Sequence, residues 1–85
     1  MNRLCVKIFK MDISYDHVAD AMFFRFSRER VHDSDEMASG IIVDYNETGE
    51  VLGIEVLDYS SRGMDLNRLI RLNPDELVPA ILKCP

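Results

Sequence analysis

The clearest pattern of apolar and polar residues in the chain lies between residues 41 and 57. Two β-branched apolar runs, residues 41–45 and 51–57, flank the polar segment 46–50. Apolar runs of this length around a short polar segment with a glycine predict a β-hairpin. We place Gly49 in the left-handed position of the turn, where it forms a bulge. Asn46 takes the first turn position, because its side chain can bond the backbone two residues further on.

This turn predicts a register for the hairpin, in which Tyr45 pairs with Val51 and Asp44 pairs with Leu52. Side chains alternate between the two faces of a strand, so this register places Asp44 and Glu55 on opposite faces. Both faces of the hairpin are then largely apolar, whereas a sheet with one wet face alternates more cleanly. We therefore expect one face to be covered by the rest of the chain, and the other by a helix or a second subunit.

Three further segments have the composition of strands: residues 11–15, 22–27 and 31–37. In the second of them Met22, Phe24 and Phe26 share one face. A helix over residues 16–24, capped by Asp16, is an alternative, because several good helix formers lie there. The density of aromatic residues favours a turn followed by a strand.

The last third of the chain predicts short helices. Residues 65–72 have apolar positions at helical spacing, and Asn73 followed by Pro74 marks a helix start. Pro79 predicts that this second helix ends after one turn, because proline removes a hydrogen bond and clashes with the preceding turn. The predicted fold class is therefore α+β and β-dominated. It is an antiparallel β-meander of four to five strands, with residues 41–57 as its best-defined hairpin and a short helical C-terminal segment.

Composition limits the domain organisation and the class of partner. Eighty-five residues suffice for a single domain over residues 1–85, and 47% of them are hydrophobic. The net charge of −5 argues against a nucleic-acid or anionic-membrane binder and favours basic partners. Cys5 and Cys84 lack the spacing of a zinc site, and no apolar run is long enough to cross a membrane. We predict a cytoplasmic protein without a cofactor.

Two motifs carry a resemblance to a known family: YDHVADAMFFRFS at residues 15–27 and GIIVDYNETGEVLGIEVLD at residues 40–58. Together they resemble a family of short prokaryotic proteins known only as a domain of unknown function. The similarity runs from Met11 to about Arg62, and residues 63–85 form the helical tail beyond it. Family members commonly begin at the equivalent of Met11, so the resemblance implies that residues 1–10 are either an N-terminal extension or the result of a start codon assigned too early. The resemblance implies a compact antiparallel β-meander, supplies no catalytic residues, and includes small proteins that look like partners of small toxins.

Asp12, Asp16 and Asp20 are spaced four residues apart and are weak candidates for a metal site. On a helix they would line one face and could bind a hard cation. On a strand followed by a turn they separate, and Asp16 and Asp20 then bond the nearby backbone. His17 and His32, the latter beside an acidic segment, have no recognised ligand spacing.

Asp44 and Glu55 are carboxylates inside otherwise apolar strands. Such a group needs a partner, and Arg25 is a candidate from another strand or subunit. A catalytic acid–base pair is disfavoured, because the predicted register separates the two residues. The sequence contains neither a nucleophile elbow nor a glycine-rich phosphate loop, so we do not expect an enzyme.

These observations favour a small protein–protein interaction module, expected to form a homodimer. A small basic protein such as an RNA-cutting toxin is its expected partner. The expected partner-binding residues are the two strand carboxylates and an apolar stripe of the helical segment: Asp44, Glu55, Leu66, Leu69 and Ile70. The alternative is a sensor of a small ligand or a divalent metal, using the aspartates at positions 12, 16 and 20.

Overall fold

The computed structural model describes residues 3–8, for their backbone, and residues 11–83. They form one six-stranded antiparallel sheet with the strand order β1-β2-β3-β6-β5-β4. The strands are β1 (Arg3–Ile8), β2 (Met11–Asp16), β3 (Ala21–Arg25), β4 (Asp33–Ala38), β5 (Ile41–Tyr45) and β6 (Val51–Val56). A 3₁₀ turn (Tyr59–Ser61) and the helices α1 (Leu66–Leu69) and α2 (Pro74–Leu82) follow. The β-dominated α+β class predicted from the sequence is confirmed.

The sheet consists of two three-stranded meanders. The first contains β1, β2 and β3, and the second contains β4, β5 and β6. They join where β3 pairs antiparallel with β6, which places Phe24 opposite Ile54 and Met22 opposite Val56. Five of the strands lie within residues 11–56, as predicted. The sixth, β1, lies in the segment expected to be an N-terminal extension and pairs with β2 along its whole length.

The β5–β6 turn has the predicted structure. The backbone N–H of Gly49 donates to the carbonyl of Asn46 (3.1 Å), and Gly49 has a φ of 87°. The side-chain oxygen of Asn46 accepts from the N–H of Thr48 at 3.0 Å and from that of Glu50 at 2.8 Å. Asn46 is 7% exposed. Its side chain satisfies backbone groups that would otherwise lose their hydrogen bonds in this tight loop.

The register predicted beyond the turn is wrong by one residue. Tyr45 pairs with Val51 as expected, but Asp44 pairs with Gly53 and not with Leu52. The cause is a β-bulge, which inserts one extra residue into β6 opposite the Asp44–Tyr45 step. Because side chains alternate with period two, this single insertion moves every later residue of β6 to the other face.

One face of the sheet is covered by the two helices. Leu77 and Ile81 of α2 are 0% exposed, and Leu69 of α1 is 3% exposed. They share a core with buried residues of β2, β3, β5 and β6: Met11, Ile13, Met22, Phe24, Ile41, Val43, Ile54 and Val56. Met22 and Phe24 share one face of β3, as predicted, and that face is the one covered by the helices. No helix of the described residues covers the other face, which we call the open face.

Helix α2 continues through Pro79, contrary to the prediction that it would end after one turn. Glu76 accepts a hydrogen bond from the N–H of Asn73 (3.0 Å), which closes the first turn. Pro79 cannot donate to the carbonyl of Asp75, but Asp75 lies exposed in the first turn, where water can replace that bond. Burial of Leu77 and Ile81 outweighs this loss.

Replacing Leu77 by alanine should lower the free energy of unfolding by about 2–5 kcal/mol, because it leaves a cavity between α2 and the sheet. Val18, which is 71% exposed, supplies the control. Val18→Ala should change the stability by less than about 0.5 kcal/mol. Urea denaturation followed by circular dichroism measures both. Equal effects of the two substitutions would contradict the packing of α2 described above.

Candidate functional site

The open face carries residues that pair across the central strands in two rows. In one row Glu36 of β4 pairs with Ile42 of β5, which pairs with Glu55 of β6. Glu55 in turn pairs with Phe23 of β3. Ile42, Glu55 and Phe23 are half-buried, and Glu36 is exposed. This row therefore alternates acidic and apolar side chains from the sheet edge inward.

In the second row Ser34 pairs with Asp44, and Asp44 pairs with Gly53. Gly53 pairs with Arg25, which is exposed. The hydroxyl of Ser34 donates to Oδ1 of Asp44 at 2.6 Å. This hydrogen bond orients the Asp44 carboxylate along the open face, one row away from Glu36 and Glu55.

The bulge in β6 thus places Asp44 and Glu55 on the same face, whereas the sequence predicted opposite faces. Together with Glu36 they surround Ile42, and Phe23 lies beyond Glu55. We call these five residues the acidic patch: Phe23, Glu36, Ile42, Asp44 and Glu55. Sequence reasoning had not placed Phe23, Glu36 and Ile42 among the partner-binding residues. The uninterrupted polar run of residues 33–36 was the available signal, but assigning Glu36 to this face needed the correct pairing with β5.

A cavity of about 210 Å³ lies where the acidic patch meets the β3–β6 pair. Gly53 contributes to it, and its other lining residues are Phe23, Phe24, Arg25, Asp44, Ile54 and Glu55. A Cβ atom on Gly53 would lie 2.8 Å from the carbonyl oxygen of Phe24. Glycine at this position therefore allows β3 and β6 to approach closely beneath the cavity.

Arg25 was our candidate partner for the two strand carboxylates. Elsewhere on the described sheet a salt bridge joins Arg28 Nη2 to Asp12 Oδ2 at 2.9 Å. Its arginine side chain is 78% exposed, so solvent screens it and it contributes little stability. Arg25 remains an exposed cation at the margin of the acidic patch.

The three aspartates proposed as weak metal ligands do not come together. Asp12 binds Arg28, and Asp16 accepts from the backbone N–H groups of Val18 (3.1 Å) and Ala19 (3.3 Å). Asp20 belongs to a separate hydrogen-bond network. Within residues 11–83, no group of three His, Cys, Asp or Glu side chains is placed to hold a metal ion. The helical spacing behind this hypothesis does not exist, because residues 16–20 form a turn after β2.

Asp20 links the β2–β3 turn to the 3₁₀ segment. Its carboxylate accepts from the hydroxyl of Tyr15 at 2.6 Å, and from the N–H and hydroxyl of Ser60 at 3.1 and 2.7 Å. Its carbonyl accepts from the N–H of Tyr59 at 3.0 Å, and its φ is 52°. The rings of Tyr15 and Tyr59 lie 5.9 Å apart. The first family-like motif therefore supplies a structural clasp between two distant parts of the chain.

The hydrogen bonds of this clasp shift two ionisations. Hydrogen bonds donated by the hydroxyls of Tyr15 and Ser60 lower the pKa of Asp20, because they stabilise the charged carboxylate. The same bond to Asp20 raises the pKa of Tyr15, because ionised tyrosine could no longer donate it. Both shifts favour the neutral phenol and the charged carboxylate at neutral pH.

The apolar stripe predicted to bind a partner packs inside the protein instead. Leu69 is a core residue, and Leu66 and Ile70 are half-buried against the same core. The physical reason is that the apolar side of α1 packs against the same core as the apolar side of α2. Of the predicted partner-binding residues, Asp44 and Glu55 are thus the ones on the open face.

Asp20→Asn should lower the melting temperature at neutral pH, because the amide cannot provide two charged acceptors to Tyr15 and Ser60. A depressed pKa contributes stability above the unfolded value of about 3.9, and this contribution disappears as the pH falls through the folded value. The difference between the wild-type and Asp20→Asn melting temperatures should therefore shrink as the pH falls below about 4. The exposed Glu47, replaced by glutamine, provides the control. A constant difference between wild type and Asp20→Asn from pH 7 to pH 3 would contradict this assignment.

Gly53→Ala should destabilise the fold by about 1–3 kcal/mol, because the added methyl group forces the Phe24 carbonyl to move. In most strands the same substitution stabilises, since glycine costs conformational entropy. Ser14→Ala, on the open face of β2, is the matched control. Chemical denaturation measures whether the substitution lowers or raises the free energy of unfolding. A stabilised Gly53→Ala variant would show that β3 and β6 are further apart than described.

No helix among the described residues has the length and apolar content needed to cross a membrane. No curated protein and no solved structure matches the chain. A family model described as a protein of unknown function (DUF2283) matches residues 12–60, more than half of the chain. That range contains β3, β4, β5 and β6, and with them every residue of the acidic patch. The chain belongs to this family of proteins of unknown function.

Proposed function

We propose that the protein is an interaction module whose acidic patch binds a basic partner protein. The observation that carries this proposal is the placement of Glu36, Asp44 and Glu55 around Ile42 on the open face. The family match adds no activity, so the proposal is based on the chemistry of this surface.

The acidic patch has the composition of a contact surface. Protein interfaces combine a central apolar region with a polar rim. Here Ile42 and Phe23 supply half-buried apolar surface, Glu36 and Glu55 pair with Ile42, and Glu55 also pairs with Phe23. The other face of the sheet is occupied by α1 and α2, which leaves the open face as the broad surface of the sheet available for contact.

Charge determines the kind of partner. Three carboxylates lie in the acidic patch, and the whole chain has a net charge of −5. Such a surface accelerates encounter with a positively charged partner and disfavours acidic ones. A small RNA-cutting toxin would have this character, because RNA binding requires clustered Lys and Arg. Covering those residues would prevent RNA binding, and this is the antitoxin-like role that we propose.

The homodimer predicted from the sequence stays a prediction. Two copies of the acidic patch would bring six carboxylates together, so like-charge repulsion directs self-association to another surface. Sedimentation at micromolar concentration measures the oligomeric state independently of the basic partner.

The test compares two double variants that remove the same number of negative charges. Asp44→Asn/Glu55→Gln changes the acidic patch, whereas Glu47→Gln/Asp75→Asn changes exposed positions outside it. Each variant and the wild type are immobilised and exposed to lysate of the native host, and the retained proteins are identified and quantified. We expect the wild type and the control to retain a basic protein in stoichiometric amount, and the patch variant to retain at least about tenfold less.

Salt provides the second readout, because attraction between exposed charges weakens as ionic strength rises. Retention of the basic protein should fall as salt is raised. Equal retention by the two double variants, or an acidic protein as the stoichiometric partner, would overturn the proposal. Circular dichroism of all three proteins establishes that the substitutions leave the fold intact.

A further inference from the structure

Strand β4 is the last strand at one end of the sheet and pairs with β5 along its inner side. All six of its residues are exposed. We infer that the basic partner contributes an extended segment that pairs with the outer side of β4 as a further strand. This inference rests on the proposed function and names the way in which the partner binds.

An end strand carries backbone N–H and C=O groups along its outer side, which can pair with another chain. One such N–H in β4, that of Ser34, donates to the carboxylate of the preceding Asp33 at 2.9 Å. Both residues are exposed. An incoming carbonyl can replace this local bond without opening the sheet. Strand addition of this kind takes its affinity from the main chain and its selectivity from alternate side chains.

The side chains of β4 select the charge of the added strand. Asp33 and Asp35 point to one side of the sheet, and Glu36 points to the other. Opposite charges on neighbouring strands stabilise their pairing, and like charges destabilise it. A segment with Lys or Arg on both sides therefore fits β4. A second copy of β4 would bring aspartate and glutamate residues together, so the same charges disfavour edge-to-edge association of this protein.

The outer side of β4 is continuous with the acidic patch. Glu36 belongs to the patch, and it pairs with Ile42, the residue at the patch centre. A strand added to β4 would extend the open face by the width of one strand. Alternate side chains of the partner would then lie beside Glu36 and Ser34. Six residues span about 20 Å, which sets the length of the paired segment.

The probe is a six-residue peptide with blocked ends in which two pairs of adjacent lysines flank threonine and valine, so that lysine lies on both sides of the added strand. A second peptide has the same sequence but carries N-methyl groups on its interior backbone nitrogens. It therefore keeps the positive charge and loses the backbone N–H donors needed for strand pairing. A third replaces each lysine by glutamate. Nuclear magnetic resonance of the full chain follows backbone amide shifts and hydrogen exchange during each titration.

We expect the lysine peptide to slow hydrogen exchange of β4 amides by at least about tenfold at saturation, because strand pairing protects them. The N-methylated and glutamate peptides should bind at least about tenfold more weakly. Asp35→Asn/Glu36→Gln should weaken binding of the lysine peptide. Glu47→Gln/Asp75→Asn, which removes the same charge elsewhere, should leave it unchanged.

Equal binding of the lysine peptide and its N-methylated form, with shifts at Ile42 and Gly53 but unprotected β4 amides, would overturn strand addition. Such a result would still support the basic-partner function, because charge would be recognised by the acidic patch alone. Absence of any binding at millimolar lysine peptide would also overturn strand addition. The retention experiment with the Asp44→Asn/Glu55→Gln variant then decides the proposed function separately.

Discussion

The pairing of β3 with β6 is the constraint on which the rest of this structure depends. It joins the two meanders into one sheet, and it places Phe24 against Ile54 and Met22 against Val56 in the centre of the core. Gly53 makes this pairing possible, because a side chain there would meet the Phe24 carbonyl. The helices pack on the inner side of this junction, and the acidic patch extends across its outer side. The centre of the core and the Phe23–Glu55 part of the candidate site therefore lie on opposite faces of one strand pair.

The features that depend on neighbouring residues could be predicted from the sequence. The Asn46–Gly49 turn, the shared face of Met22 and Phe24, and the helix start at Asn73 each follow from side-chain chemistry within a few residues. Pro79 was misjudged for the opposite reason. The local cost of Pro79 was correctly identified. The stabilisation from burying Leu77 and Ile81 against the sheet, however, comes from tertiary packing and cannot be read from the sequence of the segment alone.

The same contrast between local chemistry and tertiary packing determined how much of the candidate site could be predicted. The sequence indicated that Asp44 and Glu55 are unusual, because they interrupt apolar strands. It could not place them on one face, because the bulge depends on how β6 fits between β5 and β3. The stripe of Leu66, Leu69 and Ile70 was assigned to a partner because its pattern is the same whether a helix packs on its own sheet or on another protein. The sequence pattern indicates an apolar side of the helix but leaves its occupant undetermined.

The order of the strands also has a kinetic consequence. Each meander consists of hairpins, whose contacts are local and form within microseconds. The junction between β3 and β6 instead requires the closure of about 25 intervening residues. The β3–β6 pairing is therefore the non-local step of folding, and steps of this kind limit the rate. Until this pairing forms, the inner sides of both meanders and the edges of β3 and β6 are exposed to other chains, which makes this interval the one in which the protein is most vulnerable to aggregation.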